Sequence, residues 1–247
     1  MTIIIPMAGL SSRFTKAGYT LPKYMLYAGD KSLFNISVNS FKNYFDSVNF
    51  VFIARKLFDT EVFIKKECTL LGIKKYQTVM LDHPTNGQAE TVMLGIKNAN
   101  LDQDESILIF NIDTFRPNYS YPKDILNWDG YLEVFKGQGA NWSYAKTISS
   151  DSTVVIETAE KVEISDNCST GLYYFKSVSS FLDIYNNIQT DSFRHHKELY
   201  IAPLYNSLIK KGAEVHIHVI ERKDVIFCGV PEEYLDFINK KQYISLL

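Results

Sequence analysis

The first half of the chain alternates between short apolar runs and longer segments in which apolar residues recur with helical spacing. Each apolar run is too short and too uniformly apolar for a surface helix, so it predicts a buried strand. These predicted strands cover residues 2–6, 49–54, 77–81 and 106–111. The intervening segments predict helices that begin at the capping residues Ser32 and Thr60, and a third helix over residues 87–99. Strands that alternate with helices are typical of a parallel sheet with right-handed crossovers.

The second half has a different pattern, because its first strand-like segments follow one another without a full helix between them. Predicted strands cover residues 141–147, 153–157, 171–176 and 214–220. A helix is predicted over 199–211, and Pro231 opens a last helix, since proline suits a first helical turn. We therefore expect an α/β fold in which a mostly parallel sheet is extended by a mixed β region. One domain is expected over residues 1–247, with functional halves of about 1–115 and 116–247.

Composition narrows the classes of function. With 46% hydrophobic residues, a chain of 247 residues can bury a sizeable core without metals or disulfides. The 26 basic and 28 acidic residues give a net charge of −2, which argues against a nucleic-acid partner. No apolar run is long enough to span a membrane, and the amino terminus lacks the basic region of a signal peptide. We expect a cytoplasmic protein without a membrane partner, and its three widely spaced cysteines predict no disulfide framework.

The loop after the first predicted strand carries the strongest sign of chemistry. A tight turn of small residues exposes backbone N–H groups that bind phosphate oxygens, at the strand end where open parallel sheets place their ligands. Arg13 adds a planar positive fork and Lys23 a charge on a flexible stem. The alternative is an ordinary turn in which Arg13 pairs with a surface carboxylate. The candidate phosphate-binding residues are Ala8, Gly9, Leu10, Ser11 and Ser12.

The same stretch resembles the signature of the sugar-phosphate nucleotidyltransferases, which make nucleotide-sugars and related activated compounds. That signature reads Gly-x-Gly-Ser/Thr-Arg and then Pro-Lys; here it stands as residues 9–14, followed by Pro22 and Lys23. Ser11 replaces the second glycine, so the conformation of this turn can differ from that of the family signature. The resemblance implies a Rossmann-like, GT-A-like nucleotide-diphospho-sugar transferase fold. It also implies Mg²⁺ as cofactor and Arg13 and Lys23 as catalytic residues.

Two further segments resemble the nucleotide side of this family. Residues 85–92 are similar to the segment that receives the base, with Gly87 allowing backbone approach and Gln88 pairing with the base edge. The alternative is a plain helix start that Asn86 caps. Residues 110–114 form an apolar run that delivers Asp113 to the sheet edge, where the family binds its metal. A turn-forming aspartate is the alternative there.

The resemblance continues on the acceptor side. Glu160 and Lys161 are similar to a Glu-Lys pair that contacts the acceptor and its phosphate. Thr170 and Gly171 lie in a segment that resembles the strand flooring the acceptor site, and Glu198 resembles a further acceptor segment more weakly.

One position departs from the family pattern. Phe227 stands where many members have an aspartate that serves as a second metal ligand, and Asp224 is nearby but out of register. The second ligand is therefore missing or comes from elsewhere. His216 and His218 alternate on one predicted strand and are an alternative metal pair, without a third ligand in register.

The sequence thus favours transfer of a nucleoside monophosphate from a nucleoside triphosphate to a small phosphorylated acceptor, with release of pyrophosphate. CTP is the favoured donor, and the acceptor is a sugar 1-phosphate or a small non-sugar phosphate such as phosphoglutamine, in bacterial capsule or surface-polysaccharide precursor synthesis. Two alternatives stay open: a GT-A-type glycosyltransferase that consumes a nucleotide-sugar, and a non-catalytic nucleotide-binding protein. The 14% aromatic content suits a core or a homo-oligomer interface equally well.

Overall fold

A nine-stranded mixed sheet runs through the centre of the computed structural model, which describes residues 1–191 and 198–246. The strands of the described residues are β1 Thr2–Pro6, β2 Tyr27–Ala28, β3 Lys31–Ser32, β4 Asn49–Arg55, β5 Tyr76–Leu81, β6 Ile107–Phe110, β7 Thr114–Phe115, β8 Gly130–Lys136, β9 Ser143–Thr147, β10 Val155–Glu160, β11 Asn167–Phe175, β12 Val215–Ile220 and β13 Ile226–Phe227. The α-helices of the same residues are α1 Ser12–Lys16, α2 Leu33–Val38, α3 Thr60–Leu71, α4 Gln88–Ala99, α5 Val178–Asp191, α6 Tyr205–Lys210 and α7 Pro231–Asn239.

Four parallel strands form the first half of the sheet, in the order β6-β1-β4-β5. Ile3, Ile4 and Ile5 of β1 are fully buried, as expected for a strand covered by helices on both faces. The carboxyl ends of these strands meet at one edge of the sheet, which is where ligands of open α/β sheets bind. The α/β fold with a mostly parallel central sheet is confirmed.

The second half adds a mixed extension to this sheet. Strand β11 pairs antiparallel with β6 on one side and with β8 and β9 on the other. Strand β12 continues the extension parallel to β8, and β10 pairs antiparallel with β9. A single bridge between Val154 and His216 joins the β10 side to β12. The acceptor half predicted from sequence is therefore continuous with the nucleotide half through β11.

Among the longer elements, strand β8 and helix α5 were not predicted from the sequence. Strand β8 has six buried residues, but the fully buried Glu133 interrupts its apolar pattern. The carboxylate is stable there because Arg116 pairs with it, a tertiary contact that the pattern does not report. Helix α5 does have a helical spacing of buried residues, at Val178, Phe181 and Ile184, within a segment rich in serine and asparagine.

The predicted helix starts are confirmed in part. The Oγ of Ser32 accepts a hydrogen bond from the backbone N–H of Asn35 at 3.0 Å, so Ser32 caps α2. Thr60 is instead the first residue of α3, after Asp59 at the cap, and its hydroxyl donates to the carbonyl of Leu57. The helix expected over residues 199–211 is shorter, because a 3₁₀ turn at Ala202–Leu204 that contains Pro203 precedes α6. In the described ranges, no helix is long and apolar enough to cross a membrane.

Candidate active site

The loop between β1 and α1 presents a row of unpaired backbone N–H groups. Within residues 1–191 and 198–246, no N–H group from Ala8 to Ser12 donates a hydrogen bond to another residue. A methyl group at Gly9 would meet no heavy atom within 4 Å, so the space beside this glycine is open. Ser11 has φ 50° and ψ 31°, the left-handed conformation that glycine favours. Ser11 therefore adopts a conformation that favours glycine, at the position where the signature has glycine.

Arg13 and Lys23 approach this loop from different elements. Arg13 is exposed on α1, and no carboxylate among the described residues pairs with it. Lys23 follows Pro22 in a 3₁₀ turn, and its backbone N–H donates to the Oγ of Ser11 at 3.4 Å. The Nζ of Lys23 lies 2.5 Å from Oδ2 of Asp113. The structure thus brings the loop, Lys23 and Asp113 together at the carboxyl ends of β1 and β6.

The surroundings of Asp113 decide what metal chemistry the site can support. A methyl group at Gly229 would lie 3.1 Å from Asp113 Oδ2 and 3.6 Å from Glu233 Oε2, so the two carboxylates flank the same glycine. Glu233 accepts hydrogen bonds from the N–H groups of Gly229, at 2.8 Å, and Val230, at 3.2 Å. In the part of the chain that the structure describes, no three histidine, cysteine or acidic residues form a metal-binding group. A single protein carboxylate, that of Asp113, is compatible with Mg²⁺ if substrate phosphates and water supply the other ligands. Mg²⁺ rarely uses a set of ligands that all come from the protein.

Phe227 contributes no ligand to this site. Its backbone pairs with Thr114 in the β7–β13 ladder, beside Asp113. Its ring packs 4.7 Å from that of Trp142 and 5.5 Å from that of Phe135, and the guanidinium of Arg222 lies 5.0 Å from it. The position filled by aspartate in many relatives is therefore part of an aromatic cluster here.

Residues 85–92, which are predicted to receive the base, make two contacts with other parts of the chain. Gly87, not Asn86, is the N-cap of α4, with φ 134° and no side-chain cap. A methyl group there would lie 2.4 Å from the backbone nitrogen of Leu199, so a protein contact already requires this glycine. The Nε2 of Gln88 donates to Oδ1 of Asn111 at 2.5 Å. The hydrogen bond to Asn111 thus orients the Gln88 side chain.

Asn111 is a site residue that the sequence analysis missed. It is the first polar residue after the buried run of β6, and its backbone N–H donates to the carbonyl of Gly171 at 3.1 Å. Gly171 has φ 89° in an irregularity of the β8–β11 pairing, and a methyl group there would lie 2.3 Å from Asn111 Nδ2. Asn111 therefore connects Gln88 of the nucleotide side with Gly171 of the acceptor side.

Polar contacts hold three of the predicted acceptor residues, Glu160, Lys161 and Glu198. The Nζ of Lys161 donates to the hydroxyl of Tyr200 at 2.5 Å, and that hydroxyl donates to the carboxylate of Glu198. Burial lowers the pKa of Lys161, but the hydrogen bond to Tyr200 and the neighbouring carboxylates outweigh it, so the pKa lies above its ordinary value. Glu160 accepts from the hydroxyl of Ser143, and burial raises the pKa of its carboxyl. Tyr200 lies in the segment 198–200 that resembles a further acceptor segment, but its contact with Lys161 and the position of Ser143 follow only from the fold.

Thr170 lies beneath the site instead of lining it. Its side chain is 1% exposed and donates to Glu133 Oε1 at 3.1 Å. The Nε of Arg116 lies 3.1 Å from both carboxylate oxygens of Glu133, in a buried ion pair. Burial raises the pKa of Glu133, and the charge of Arg116 opposes this. The hydroxyl of Thr114 donates to the carbonyl of Thr170 at 3.2 Å, which ties this pair to the segment that carries Asp113.

Comparisons with solved structures show which proteins this chain resembles. A nucleoside-diphosphate-sugar pyrophosphorylase from Vibrio cholerae RC9 is 53% identical, with a TM-score of 0.92 over 96% of this chain and 99% of that one. The inositol-1-phosphate CTP transferase from T. maritima is 13% identical, with a TM-score of 0.72 over 97% and 95%. A UDP-glucose pyrophosphorylase complexed with UDP-glucose is 14% identical, with a TM-score of 0.74 over 98% of both chains.

Only the comparison with solved structures gives matches. No protein-family model matches the sequence, and no curated protein matches it significantly. Identity of 53% over nearly the whole of both chains is nevertheless far beyond what a shared fold alone produces. The chain therefore belongs to the sugar-phosphate nucleotidyltransferase family and is itself a nucleotidyltransferase.

Proposed function

We propose that this enzyme transfers CMP from CTP to a small phosphorylated acceptor and releases pyrophosphate. The observation that carries the proposal is the row of free N–H groups from Ala8 to Ser12, with Arg13 unpaired beside it in the described structure. Backbone donors and a fixed guanidinium suit the three phosphates of a nucleotide. Gln88, held by Asn111, supplies a polar side chain for the base edge.

The reaction needs no covalent intermediate and no general base, because a phosphate is already an anionic nucleophile. An oxygen of the acceptor phosphate attacks the α-phosphorus while the bond to pyrophosphate breaks on the opposite side. The protein has to align the two anions and stabilise the charge that moves onto pyrophosphate. Arg13, Lys23 and the loop N–H groups perform this role, and Mg²⁺ at Asp113 would neutralise further phosphate charge when bound.

The acceptor binds on the side of Lys161, Tyr200 and Glu160. Lys161 supplies the positive charge for the acceptor phosphate, and the Gly171 segment forms the floor. The name of the V. cholerae relative favours a sugar 1-phosphate, and that of the T. maritima structure favours CTP. A small non-sugar phosphate such as phosphoglutamine is compatible with the same charges. We place the reaction in the cytoplasm, in the synthesis of capsule or surface-polysaccharide precursors.

The test begins with thermal denaturation in the presence of ATP, GTP, CTP, UTP or dTTP, with and without Mg²⁺. A ligand at about 100 times its dissociation constant adds roughly 2.7 kcal/mol of stability, which raises Tm by several degrees. We expect the largest shift with CTP. Pyrophosphate release is then measured with CTP and a panel of sugar 1-phosphates and small non-sugar phosphates.

Two variants make the test specific to the loop. Arg13→Ala should lower kcat roughly 10²–10³-fold, as loss of a preorganised donor does. Lys16→Ala is the matched control, because Lys16 is an exposed basic residue on the same helix. This variant should leave kcat unchanged. Full turnover by Arg13→Ala, or a stability shift with no nucleotide, would contradict the proposal. CTP binding without pyrophosphate release on any acceptor would favour a non-catalytic role.

A further inference from the structure

Lys23 forms an ion pair with the carboxylate of Asp113, the group that the family resemblance assigns to a metal. The ammonium of Lys23 lies 2.5 Å from Asp113 Oδ2, and the two side chains are 23% and 22% exposed. Both partners have fixed backbones, since Lys23 N–H donates to Ser11 Oγ and the carbonyl of Asp113 accepts from the N–H of Cys228 at 2.8 Å. The pair is therefore a defined contact at the edge of the sheet and not a chance meeting of two mobile side chains.

The charge around the pair leaves little to attract a cation. The neighbouring carboxylate of Glu233 is engaged by two backbone N–H groups at the start of α7. Among the described residues, no larger group of acidic, histidine or cysteine side chains is present to bind a metal. Lys23 cancels the charge of Asp113, so a divalent cation that arrives alone must displace an ammonium ion at contact distance. The repulsion between the arriving cation and the Lys23 ammonium is substantial at this distance, because the side chains of Lys23 and Asp113 are mostly shielded from water.

We propose that Lys23 closes the metal site in the nucleotide-free enzyme and that nucleotide opens it. The triphosphate attracts Lys23 away from Asp113, which the flexible four-carbon stem of lysine allows. The same phosphates then supply the oxygen ligands that the protein lacks. A divalent cation therefore binds Asp113 together with nucleotide or after it, and not before. This order of binding rests on the proposed use of a nucleoside triphosphate, but the closed state of the free protein does not.

The experiment uses Mn²⁺ as the probe and water-proton relaxation as the readout, because protein-bound Mn²⁺ differs from free Mn²⁺ in this signal. Without nucleotide, Lys23→Met should bind Mn²⁺ roughly tenfold more tightly than the wild-type chain, since one positive charge has been removed at contact distance. Adding Asp113→Asn to Lys23→Met should abolish that gain. Lys56→Met is the matched control, because it breaks the exposed Lys56–Asp82 pair of 2.8 Å and should behave like wild type.

The outcomes separate this inference from the proposed function. Wild-type protein that binds Mn²⁺ without nucleotide as tightly as Lys23→Met would overturn the closed site, even if CTP stabilises the fold. Tighter binding by Lys23→Met through Asp113, with no stabilisation by any nucleotide, would keep the closed site and refute the proposed function. Lys23→Gln serves as the second variant if Lys23→Met fails to fold, which far-UV circular dichroism would reveal.

With CTP added, wild-type protein should form a ternary complex whose relaxation signal exceeds that of Mn²⁺–CTP in solution. Asp113→Asn should bind Mn²⁺ in the presence of CTP roughly tenfold more weakly than wild type, because one ligand charge is lost. Equal Mn²⁺ affinities of the two proteins in the presence of CTP would place the cation elsewhere and overturn the inference.

Discussion

The backbone of Leu199 lies directly on the α-carbon of Gly87. A methyl group at Gly87 would be 2.4 Å from the nitrogen of Leu199 and 2.6 Å from its oxygen. Two hydrogen bonds fix the contact: the N–H of Leu199 donates to the carbonyl of Asn86 at 2.7 Å, and that of Ala89 donates to the carbonyl of Leu199 at 2.8 Å. The start of α4 and the segment that carries Glu198 and Tyr200 therefore form one unit.

We expect Gly87→Ala to destabilise the fold by about 1–3 kcal/mol, because the added methyl group collides with backbone that cannot rotate away. Gly9→Ala is the matched control, since nothing lies within 4 Å of its added methyl group. Urea unfolding measures both variants. Gly9→Ala should keep wild-type stability but weaken CTP binding. Equal stability of Gly87→Ala and Gly9→Ala would instead show that the Leu199 contact is absent in solution.

Asn111→Ala should raise the KM for CTP roughly five- to tenfold, because Gln88 loses the hydrogen-bond acceptor that orients it. Asn111→Asp keeps an acceptor oxygen and should bring KM most of the way back. Steady-state kinetics on the two variants check this. A KM for CTP that stays at the wild-type value in Asn111→Ala would show that Gln88 is positioned by other contacts.

Tyr200→Phe should raise the KM for the phosphorylated acceptor by about tenfold and leave the KM for CTP unchanged, since one hydroxyl holds both Lys161 and Glu198. Tyr27→Phe, on an exposed tyrosine away from these residues, is the control. An equal rise in both KM values would argue against an acceptor role for this group of side chains.

Arg116→Met should cost about 3–5 kcal/mol of stability, because it leaves the carboxylate of Glu133 buried without a partner. Replacing Glu133 by leucine in the same chain should restore much of this loss, since no buried charge then remains. Lys56→Met, at an exposed pair, should change stability by no more than about 1 kcal/mol. Chemical denaturation of the three variants tests the prediction, which fails if the double variant is less stable than Arg116→Met.

Protonation of His216 and His218 should lower stability as the pH falls through about 6.5. Burial lowers the pKa of both His216 and His218 from the ordinary value of 6.5, and the charge of Arg116 lowers that of His218 further. At these two positions the unfolded chain therefore binds more protons than the folded chain in this range, which favours unfolding. The double variant His216→Gln/His218→Gln should show a smaller loss between pH 7.5 and pH 5.5 than wild type, when unfolding free energies are compared.

Much of the parallel half could be predicted from sequence, because its strands are buried on both faces and read as continuous apolar runs. The loop residues up to Arg13 could also be located, since a strand end followed by small residues has a local pattern. Strand β8 could not, because its buried Glu133 depends on Arg116, which is remote in sequence. For the same reason Asn111 and Glu233 were not predicted as site residues: each acquires its position through a contact that only the folded chain creates.

Strand β11 limits how this enzyme can be re-engineered. One edge of β11 completes the parallel half through β6, and the other carries β8 and β9 of the extension. Severing the chain after residue 115 would leave both fragments with long unpaired strand edges, which aggregate readily. The half predicted to bind the acceptor is thus not a unit that can be exchanged between homologues. Under the proposed function, new acceptor chemistry should instead be sought by substitutions on β9, β10 and residues 198–200, which leave the shared strand intact.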